Sequence, residues 1–160
     1  MRLTIAAIGR MKAGPERLLA DRYLDRLKKT GAPLGLDYQG LSEYPESRLG
    51  TAPERKREEA ERLRSSLAEG SIHLVLDERG KTLSSEEFAA AIATFRDDGR
   101  RDLALLIGGP DGHDDALRSD ANLVLSLGRM TYPHQIARVL VAEQLYRAAT
   151  ILAGHPYHRA

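Results

Sequence analysis

Apolar residues in this chain fall into short clusters, and the segments between the clusters carry apolar residues three or four positions apart. Short runs such as residues 72–76 and 103–107 are typical of strands buried on both faces, whereas the wider spacing is typical of helices. The predicted strands cover residues 3–8, 34–41, 72–76, 103–107 and 124–125. Strands that alternate with helices predict an α/β fold, a single domain over residues 1–160 built on a mainly parallel sheet.

The helical segments have recognisable starts and ends. Helices usually begin with a proline in the first turn or a serine just before it, and they often end at a glycine. Gly31 is such a glycine. Four helices are predicted. The first starts at Pro15, the second covers residues 54–68, the third starts at Ser84 or Ser85, and the fourth covers residues 136–152. Residues 42–52 are predicted to form a loop and residues 77–81 a turn, because proline, glycine and charged residues interrupt the apolar pattern there.

The last predicted helix is apolar around its whole circumference. A helix of this kind is buried on every side, so a partner subunit is expected to cover the face that a terminal helix usually exposes to water. Glu143, Arg147 and Thr150 share one narrow polar sector of this helix, and Arg138 points almost the opposite way. On spacing alone, Glu143 and Arg147 form an ordinary ion pair four residues apart.

Composition excludes several classes of protein. The 160 residues include no cysteine, which rules out disulfides, thiolate nucleophiles and cysteine-based zinc sites. No apolar run approaches the roughly 20 residues of a membrane span, and no targeting segment is recognisable, so we expect a cytoplasmic protein without a membrane partner. Aromatic residues make up only 5% of the chain and tryptophan is missing, which disfavours extended base stacking.

Charge is nearly balanced overall but uneven along the chain. A net charge of +1, from 24 basic and 23 acidic residues, argues against a general polyanion binder. From residue 129 onward, however, arginines outnumber acids and most of the histidines occur, which favours an anion-binding function near the C-terminus. The basic cluster at residues 55–57 has acids close by and is interpreted as a solvated helix face in preference to an RNA-binding patch.

Two glycine-containing segments follow predicted strands. Residues 108–112 (GGPDG) come directly after the apolar run 103–107. Ligands of parallel α/β sheets bind at the carboxyl ends of strands, where glycine lets a ligand approach the main chain. The spacing matches neither a dinucleotide-binding fingerprint nor a P-loop, and a lone turn of this type is more often only a turn. Residues 127–134 form a second irregular segment that leads into the last helix.

Side chains near the C-terminus could carry chemistry. His134, at the start of the last helix, could act as a base or as a donor to an anion, although such a histidine is more often bonded locally. The terminal segment 155–159 (HPYHR) concentrates two imidazoles, a phenol and a guanidinium. Chain ends are usually frayed, and on composition alone this segment is disordered slightly more often than functional. It lacks the carboxylates of a zinc centre, so we expect no metal.

Three segments together resemble the RlmH family, the bacterial methyltransferases that N3-methylate a pseudouridine of large-subunit ribosomal RNA. The segments are residues 105–112 (LLIGGPDG), 132–135 with 138–148 (YPHQ and RVLVAEQLYRA), and 155–159 (HPYHR). The resemblance covers nearly the whole chain. Asp111 stands where glutamate is more usual in the family, and the loop 128–130 varies among its members.

The resemblance implies a SPOUT-type fold, in which a parallel sheet flanked by helices ends in a deep C-terminal trefoil knot. It also implies a homodimer and S-adenosylmethionine as cofactor, held by the glycine turn and the knotted loops. The residues implied to bind the cofactor are Leu76, Gly108, Gly109, Gly128, Arg129, Met130, Thr131, Tyr132 and Pro133.

The implied reaction moves a methyl group from a sulfonium to N3 of a pseudouridine, a nitrogen that must first lose its proton. The residues expected to take part are His134 or Glu143 for the proton, Arg159 or Arg147 for the developing negative charge, and Tyr157 and His158 for orienting the base. We further hypothesise that the tail of one subunit completes the site of the other.

The expected substrate is 23S ribosomal RNA within assembled ribosomes, and two alternatives remain open. One is a related knotted methyltransferase that acts on tRNA. The other is a ribosome-associated binding protein without catalysis, which would have no affinity for the cofactor.

Overall fold

A computed structural model describes residues 1–159, which form a five-stranded sheet with helices on both faces. The strands are β1 (Arg2–Ile8), β2 (Asp37–Tyr44), β3 (Ile72–Thr82), β4 (Asp102–Ile107) and β5 (Leu123–Ser126). The helices are α1 (Pro15–Gly31), α2 (Ala52–Ser65), α3 (Ser85–Asp97), α4 (Asp115–Ser119) and α5 (His134–Leu152), with a 3-10 turn at Ala32–Leu34.

The strands are ordered β2-β1-β4-β3-β5, and every neighbouring pair is parallel. All five carboxyl ends therefore meet at one edge of the sheet. The predicted parallel α/β architecture is confirmed. The threading that would make the C-terminal part a trefoil knot stays a prediction.

Alternate residues of the strands divide the core between the two faces. Leu3, Ile5 and Ala7 of β1 pack with the apolar residues of α1, α3 and α5, whereas Ala6 and Ile8 pack with those of α2 and α4. Helix α5 packs against both α1 and α3. Its apolar circumference is thus largely covered within one chain, so it does not by itself require a partner subunit.

The predicted strand over residues 34–41 is wrong at both ends. Leu34 closes the 3-10 turn after α1, Gly35 adopts a φ of +74°, and β2 begins only at Asp37. The strand then continues through Ser42–Tyr44, which pair with Ala6–Ile8 of β1. Strand β2 lies at the sheet edge and is only half-buried, so its apolar pattern is too weak to define its ends.

The predicted turn over residues 77–81 is part of a longer strand instead. Strand β3 pairs with β5 at Leu76, bulges, and pairs with Leu125 again at Lys81. At Gly80 the bulge lies so close to β5 that a Cβ atom would meet the main chain of Val124 and Leu125 at 2.7 Å. The strand continues here through polar residues, because the bulge leaves them outside the hydrogen-bonded ladder between β3 and β5.

The helix limits agree with the sequence more closely. Thr51 and Ser84 cap α2 and α3, each in a reciprocal capping box with the glutamate three residues on, and the serine cap of α3 is therefore confirmed. Helix α2 runs from Ala52 to Ser65, slightly ahead of its predicted span, and α5 begins at His134. The short helix α4 was not predicted. Within residues 1–159, no helix is both long and apolar enough to cross a membrane.

Candidate active site

A cavity of about 300 Å³ opens at the carboxyl edge of the sheet, among the ends of β3, β4 and β5 and the start of α5. Its volume lies at the lower end of the range typical of small-molecule sites. The residues that line it are Leu76, Asp77, Glu78, Arg79, Ile107, Gly108, Gly109, Pro110, Asp111, Gly112, His113, Ser126, Leu127, Gly128, Met130, Thr131, Tyr132, His134 and Ala137.

The glycine turn, residues 108–112, forms one wall of this cavity. The N–H of Gly112 donates to the Gly109 carbonyl at 2.9 Å, and Gly112 has a φ of +79°. A Cβ atom on Gly108 would lie 3.2 Å from the His113 ring, and one on Gly109 would lie 2.8 Å from Oε2 of Glu59. A side chain at either position would crowd these neighbours, and the glycines leave the main chain of this wall uncovered.

The loop after β5 forms the opposite wall. The buried hydroxyl of Ser126 accepts a hydrogen bond from the Gly128 N–H and donates to the Gly128 carbonyl, both at 3.1 Å. Gly128 has a φ of +118°, a conformation that suits glycine. Beyond this bend, Met130 is 75% exposed and Tyr132 is 36% exposed. This loop is therefore held by hydrogen bonds where it leaves β5, and further along it presents exposed apolar side chains at the rim of the cavity.

Asp77 brings a carboxylate into the cavity and is held by arginines. Arg79 donates to it from Nε at 3.0 Å and from Nη2 at 3.2 Å, and Arg118 Nε lies 3.7 Å away. Burial alone would raise the pKa of the Asp77 carboxyl, but the hydrogen bonds from Arg79 and the charge of Arg118 outweigh it and lower this pKa. Asp77 is thus an anion whose charge is largely compensated.

His113 lies behind the glycine turn. Burial lowers its pKa from 6.5 to about 4, so the imidazole is neutral at physiological pH. Its Nε2 atom is buried and has no hydrogen-bond partner among residues 1–159. His113 therefore fills space at the base of the cavity without adding charge.

A second group of polar side chains, the tail cluster, consists of Glu143, Arg147, Tyr157, His158 and Glu86. Arg147 donates to Glu143 Oε1 from Nε at 2.9 Å, and the Tyr157 hydroxyl donates to the same oxygen at 3.0 Å. The Arg147 guanidinium also lies over the Tyr157 ring, 4.8 Å from its centre. The predicted Glu143–Arg147 ion pair is present, and the C-terminal tail folds onto it.

His158 joins the tail cluster to α3. Arg147 Nη1 lies 3.3 Å from His158 Nδ1, and His158 Nε2 lies 2.6 Å from Glu86 Oε1. An arginine can only donate, so in this arrangement Nδ1 accepts and Nε2 donates to Glu86. Burial, followed by hydrogen bonds with Tyr23 and Glu143, raises the pKa of Tyr157, which keeps its phenol protonated and able to donate.

The structure divides the predicted site residues into two groups. Of the nine predicted to bind the cofactor, seven line the cavity, namely Leu76, Gly108, Gly109, Gly128, Met130, Thr131 and Tyr132. Arg129 and Pro133 are exposed and do not belong to its described lining. Among the predicted catalytic residues His134 lines the cavity. The lining within residues 1–159 does not include Glu143, Arg147, Tyr157, His158 or the exposed Arg159.

Sequence reasoning missed several residues of the cavity. Asp77 follows the apolar run of β3, so the rule that pointed to the glycine turn could also have indicated this carboxylate. His113 carries no comparable signal, because nothing in its sequence neighbourhood shows that it is buried. Across the described chain, no group of three or more His, Cys, Asp or Glu side chains is arranged to hold a metal ion.

The fold and the site define the class of this protein, a parallel α/β protein with a loop-built cavity at the carboxyl edge, where proteins of this class bind small ligands. The chain belongs to the SPOUT methyltransferase family, since the family model described as "Predicted SPOUT methyltransferase" matches residues 1–158. The predicted family and the predicted enzyme class, a methyltransferase, are confirmed, and S-adenosylmethionine as cofactor agrees with that class.

Named relatives match this chain over its full length. The Ribosomal RNA large subunit methyltransferase H of Brucella anthropi is 63% identical over 160 residues, and that of Brucella abortus (strain S19) is 60% identical over 169 residues. Each comparison covers 100% of both chains. The structure of a probable methylase family protein from Haemophilus influenzae Rd KW20 shares the fold at a TM-score of 0.53 and 12% identity, covering 99% of this chain and 70% of that one.

Proposed function

We propose that this protein uses S-adenosylmethionine to methylate N3 of a pseudouridine in 23S ribosomal RNA, in the cytoplasm and on assembled ribosomes. The observation that carries the proposal is the cavity at the carboxyl edge, which the glycine turn and the bend at Gly128 help to line. Support for the substrate comes from the relatives at 63% and 60% identity, which are named as large-subunit ribosomal RNA methyltransferases.

The cavity walls fit the proposed cofactor. Glycines at 108, 109 and 128 leave main-chain groups open to polar atoms, and Leu76 and Met130 offer apolar surface to a ring. When bound, S-adenosylmethionine would supply the methyl group as a sulfonium. The paired carboxylate of Asp77 adds little net charge, so the walls bind mainly through hydrogen bonds and shape.

Proton removal is assigned to His134 in preference to Glu143. His134 is exposed and lines the cavity, whereas Glu143 already accepts from Arg147 and Tyr157 at Oε1 and from Gln144 at Oε2. A positioned base contributes roughly 10²–10⁴-fold to a proton transfer. Once N3 of pseudouridine has given its proton to His134, the negative charge spreads to the two flanking carbonyl oxygens, where Arg147 or Arg159 would stabilise it. The N–CH3 bond would then form as the S–CH3 bond breaks, which leaves a neutral methylated base and a neutral thioether.

A homodimer is proposed because the two groups of site residues lie apart within one chain. A second copy could bring its tail cluster, with Arg159, to the cavity of the first. Tyr132 and Ile136 are 36% and 38% exposed beside the cavity, and apolar side chains of this kind are enriched at interfaces. Tyr157 and His158 would then orient the target base.

Methylation assays with labelled S-adenosylmethionine test the substrate. We expect transfer to assembled ribosomes that lack the modification, little transfer to free ribosomal RNA and none to tRNA, with the label mapping to N3 of a pseudouridine. Transfer to tRNA alone would favour the alternative methyltransferase. A protein that does not bind the cofactor in a calorimetric titration would instead be a binding protein, and the proposal would fail.

A mixing experiment tests whether the tail acts across the dimer. Gly109→Ala is expected to inactivate the cavity and Arg147→Ala the tail cluster, so each variant alone should be inactive. If the tail acts on the partner's cavity, mixed dimers contain one intact site, and activity returns to about a quarter of the wild-type value after random exchange. If both parts act within one chain, every site keeps one defect and no activity returns.

A further inference from the structure

Helix α2 contacts the glycine turn from the side opposite the cavity. Two of its side chains, Arg55 and Glu59, reach residues of the turn from one face of the helix. We propose that Arg55 and Glu59 are positioning residues that hold the turn in its cofactor-binding shape. This inference rests on the proposed placement of the cofactor in the cavity.

Arg55 binds the turn through Asp111. Its Nε donates to Asp111 Oδ2 at 2.7 Å and its Nη2 donates to Asp111 Oδ1 at 3.0 Å, a bidentate pair of the kind that fixes both distance and orientation. The hydrogen bond from Arg55 lowers the pKa of the Asp111 carboxyl, which therefore stays charged. Arg55 Nη1 also donates to the Leu49 carbonyl at 3.1 Å. One guanidinium thus joins the turn to the loop before α2.

Glu59 supports the turn at Gly109. Its Oε1 accepts from the Ser47 N–H at 2.8 Å, which fixes the carboxyl group. Its Oε2 is buried, has no hydrogen-bond partner in the described part of the chain, and lies where a Cβ atom on Gly109 would come within 2.8 Å. Burial raises the pKa of Glu59. Because Oε2 makes no hydrogen bond to the turn, the carboxyl group acts on Gly109 mainly through close packing.

The turn has little internal support without these contacts. One main-chain hydrogen bond, from the Gly112 N–H to the Gly109 carbonyl, closes it. Three of its five residues, Gly108, Gly109 and Gly112, have no side chain to restrict the main chain. Helix α2 is itself fixed by Ala60 and Leu63 in the core. Without its contacts to α2, the glycine turn would adopt other conformations. A smaller fraction of the protein would then be able to bind S-adenosylmethionine, and the apparent affinity would fall. Turnover of the bound complex would change little.

The test measures the dissociation constant of S-adenosylmethionine by calorimetry, with kcat and KM from the methylation assay. Arg55→Gln and Asp111→Asn are each expected to weaken binding about fivefold to tenfold and to raise KM equally, with kcat within about twofold. The double variant should bind no more weakly than either single variant, because both remove the same contact. Glu59→Gln should bind as the wild type does, whereas Glu59→Ala should weaken binding.

Arg64→Gln provides the matched control. Arg64 also lies on α2 and pairs with Asp120 at 2.8 Å, and neither residue belongs to the described lining of the cavity. This variant should leave both affinity and turnover unchanged. Additive effects of Arg55→Gln and Asp111→Asn, or a loss of kcat at unchanged affinity, would overturn the inference.

Gly109→Ala separates this inference from the proposed function. If Gly109→Ala weakens cofactor binding but the Arg55 and Glu59 variants do not, the cavity is the cofactor site and α2 has no positioning role. If a crystal structure of the complex shows S-adenosylmethionine bound outside the cavity, the proposed placement of the cofactor is itself wrong.

Discussion

The cavity and the tail cluster are built by opposite means. The cavity walls are formed by bends in which glycine exposes the main chain, at the ends of strands that the sheet holds in place. The tail cluster is formed by long polar side chains of α5 and the C-terminal segment, joined by hydrogen bonds and an ion pair. The cavity is suited to holding a ligand, and the tail cluster is suited to stabilising or moving charge.

This contrast predicts that the two regions respond differently to substitution. Added atoms should damage the cavity where its glycine turn approaches other groups closely, as Gly109 approaches Glu59 and Ile8. Removed atoms should damage the tail cluster, because each of its side chains supports another. Binding and turnover can therefore be separated experimentally.

The largest effect is expected in the tail cluster. Arg147→Ala removes the guanidinium that binds Glu143 and lies over Tyr157, and we expect kcat to fall about 10²–10³-fold, as for loss of a charge-stabilising donor. Cofactor affinity should stay within about twofold of the wild type. Arg22→Gln, at an exposed position of α1, is the control and should change neither quantity. A loss of cofactor binding in Arg147→Ala would remove the distinction between the two regions.

A second prediction concerns the close approach of β3 to β5. Gly80→Ala places a Cβ atom 2.7 Å from the main chain of Val124 and Leu125, and overpacking of this kind costs about 1–3 kcal/mol of unfolding free energy. Gly50→Ala adds the same methyl group where nothing lies within 4 Å and should be neutral. Urea unfolding of both variants provides the measurement. Equal stability of the two would show that β3 and β5 separate easily.

The buried His113 predicts a pH dependence of stability. Its pKa is about 4 in the folded protein and 6.5 in an exposed histidine, so between these values the unfolded chain binds more protons than the folded one. Stability from this group is complete above about pH 6.5, is lost as the pH falls towards 4, and amounts to about 3 kcal/mol at most.

His113→Leu tests this directly. The variant should lose the contribution of His113 to the pH dependence and match or exceed the wild type near neutral pH, because an unpartnered buried nitrogen is removed. The difference between wild type and variant, measured by urea unfolding across this pH range, isolates His113 from the other titrating groups. A constant difference would mean that the imidazole is not buried as described.

The smallest effect is expected at the rim of the cavity. Met130 is 75% exposed, so Met130→Ala should change the unfolding free energy by less than about 0.5 kcal/mol. Cofactor affinity should fall by no more than about threefold, since one apolar contact is lost. A larger loss of affinity would show that the rim closes on the ligand.

Much of the fold was predictable because buried strands carry nearly continuous apolar runs. Strands β1 and β4 pack on both faces, and their limits agree with the predicted ones within about a residue. Strand β2 lies at the edge and the end of β3 is polar, so their extent depends on pairing with neighbours that a local pattern does not contain. Bulges and edge pairing are tertiary properties.

The site was predictable to a similar degree. The glycine turn follows a buried strand, and the carboxyl-edge rule indicates such a turn from local sequence alone. The contact of Arg55 with Asp111 joins residues 56 positions apart, and that of His158 with Glu86 joins residues 72 positions apart. Spacing predicted that residues 55–57 form a solvated helix face, and only the folded chain shows that Arg55 pairs outside its helix.

The most direct measurement is a crystal structure of the protein with S-adenosylmethionine bound. The account predicts the ligand between the glycine turn and the bend at Gly128, contacting main-chain groups, with Arg147 and Tyr157 of a second copy at the mouth of the same cavity. A ligand bound elsewhere on the chain, or a cavity left without any contact from a partner's tail, would contradict it.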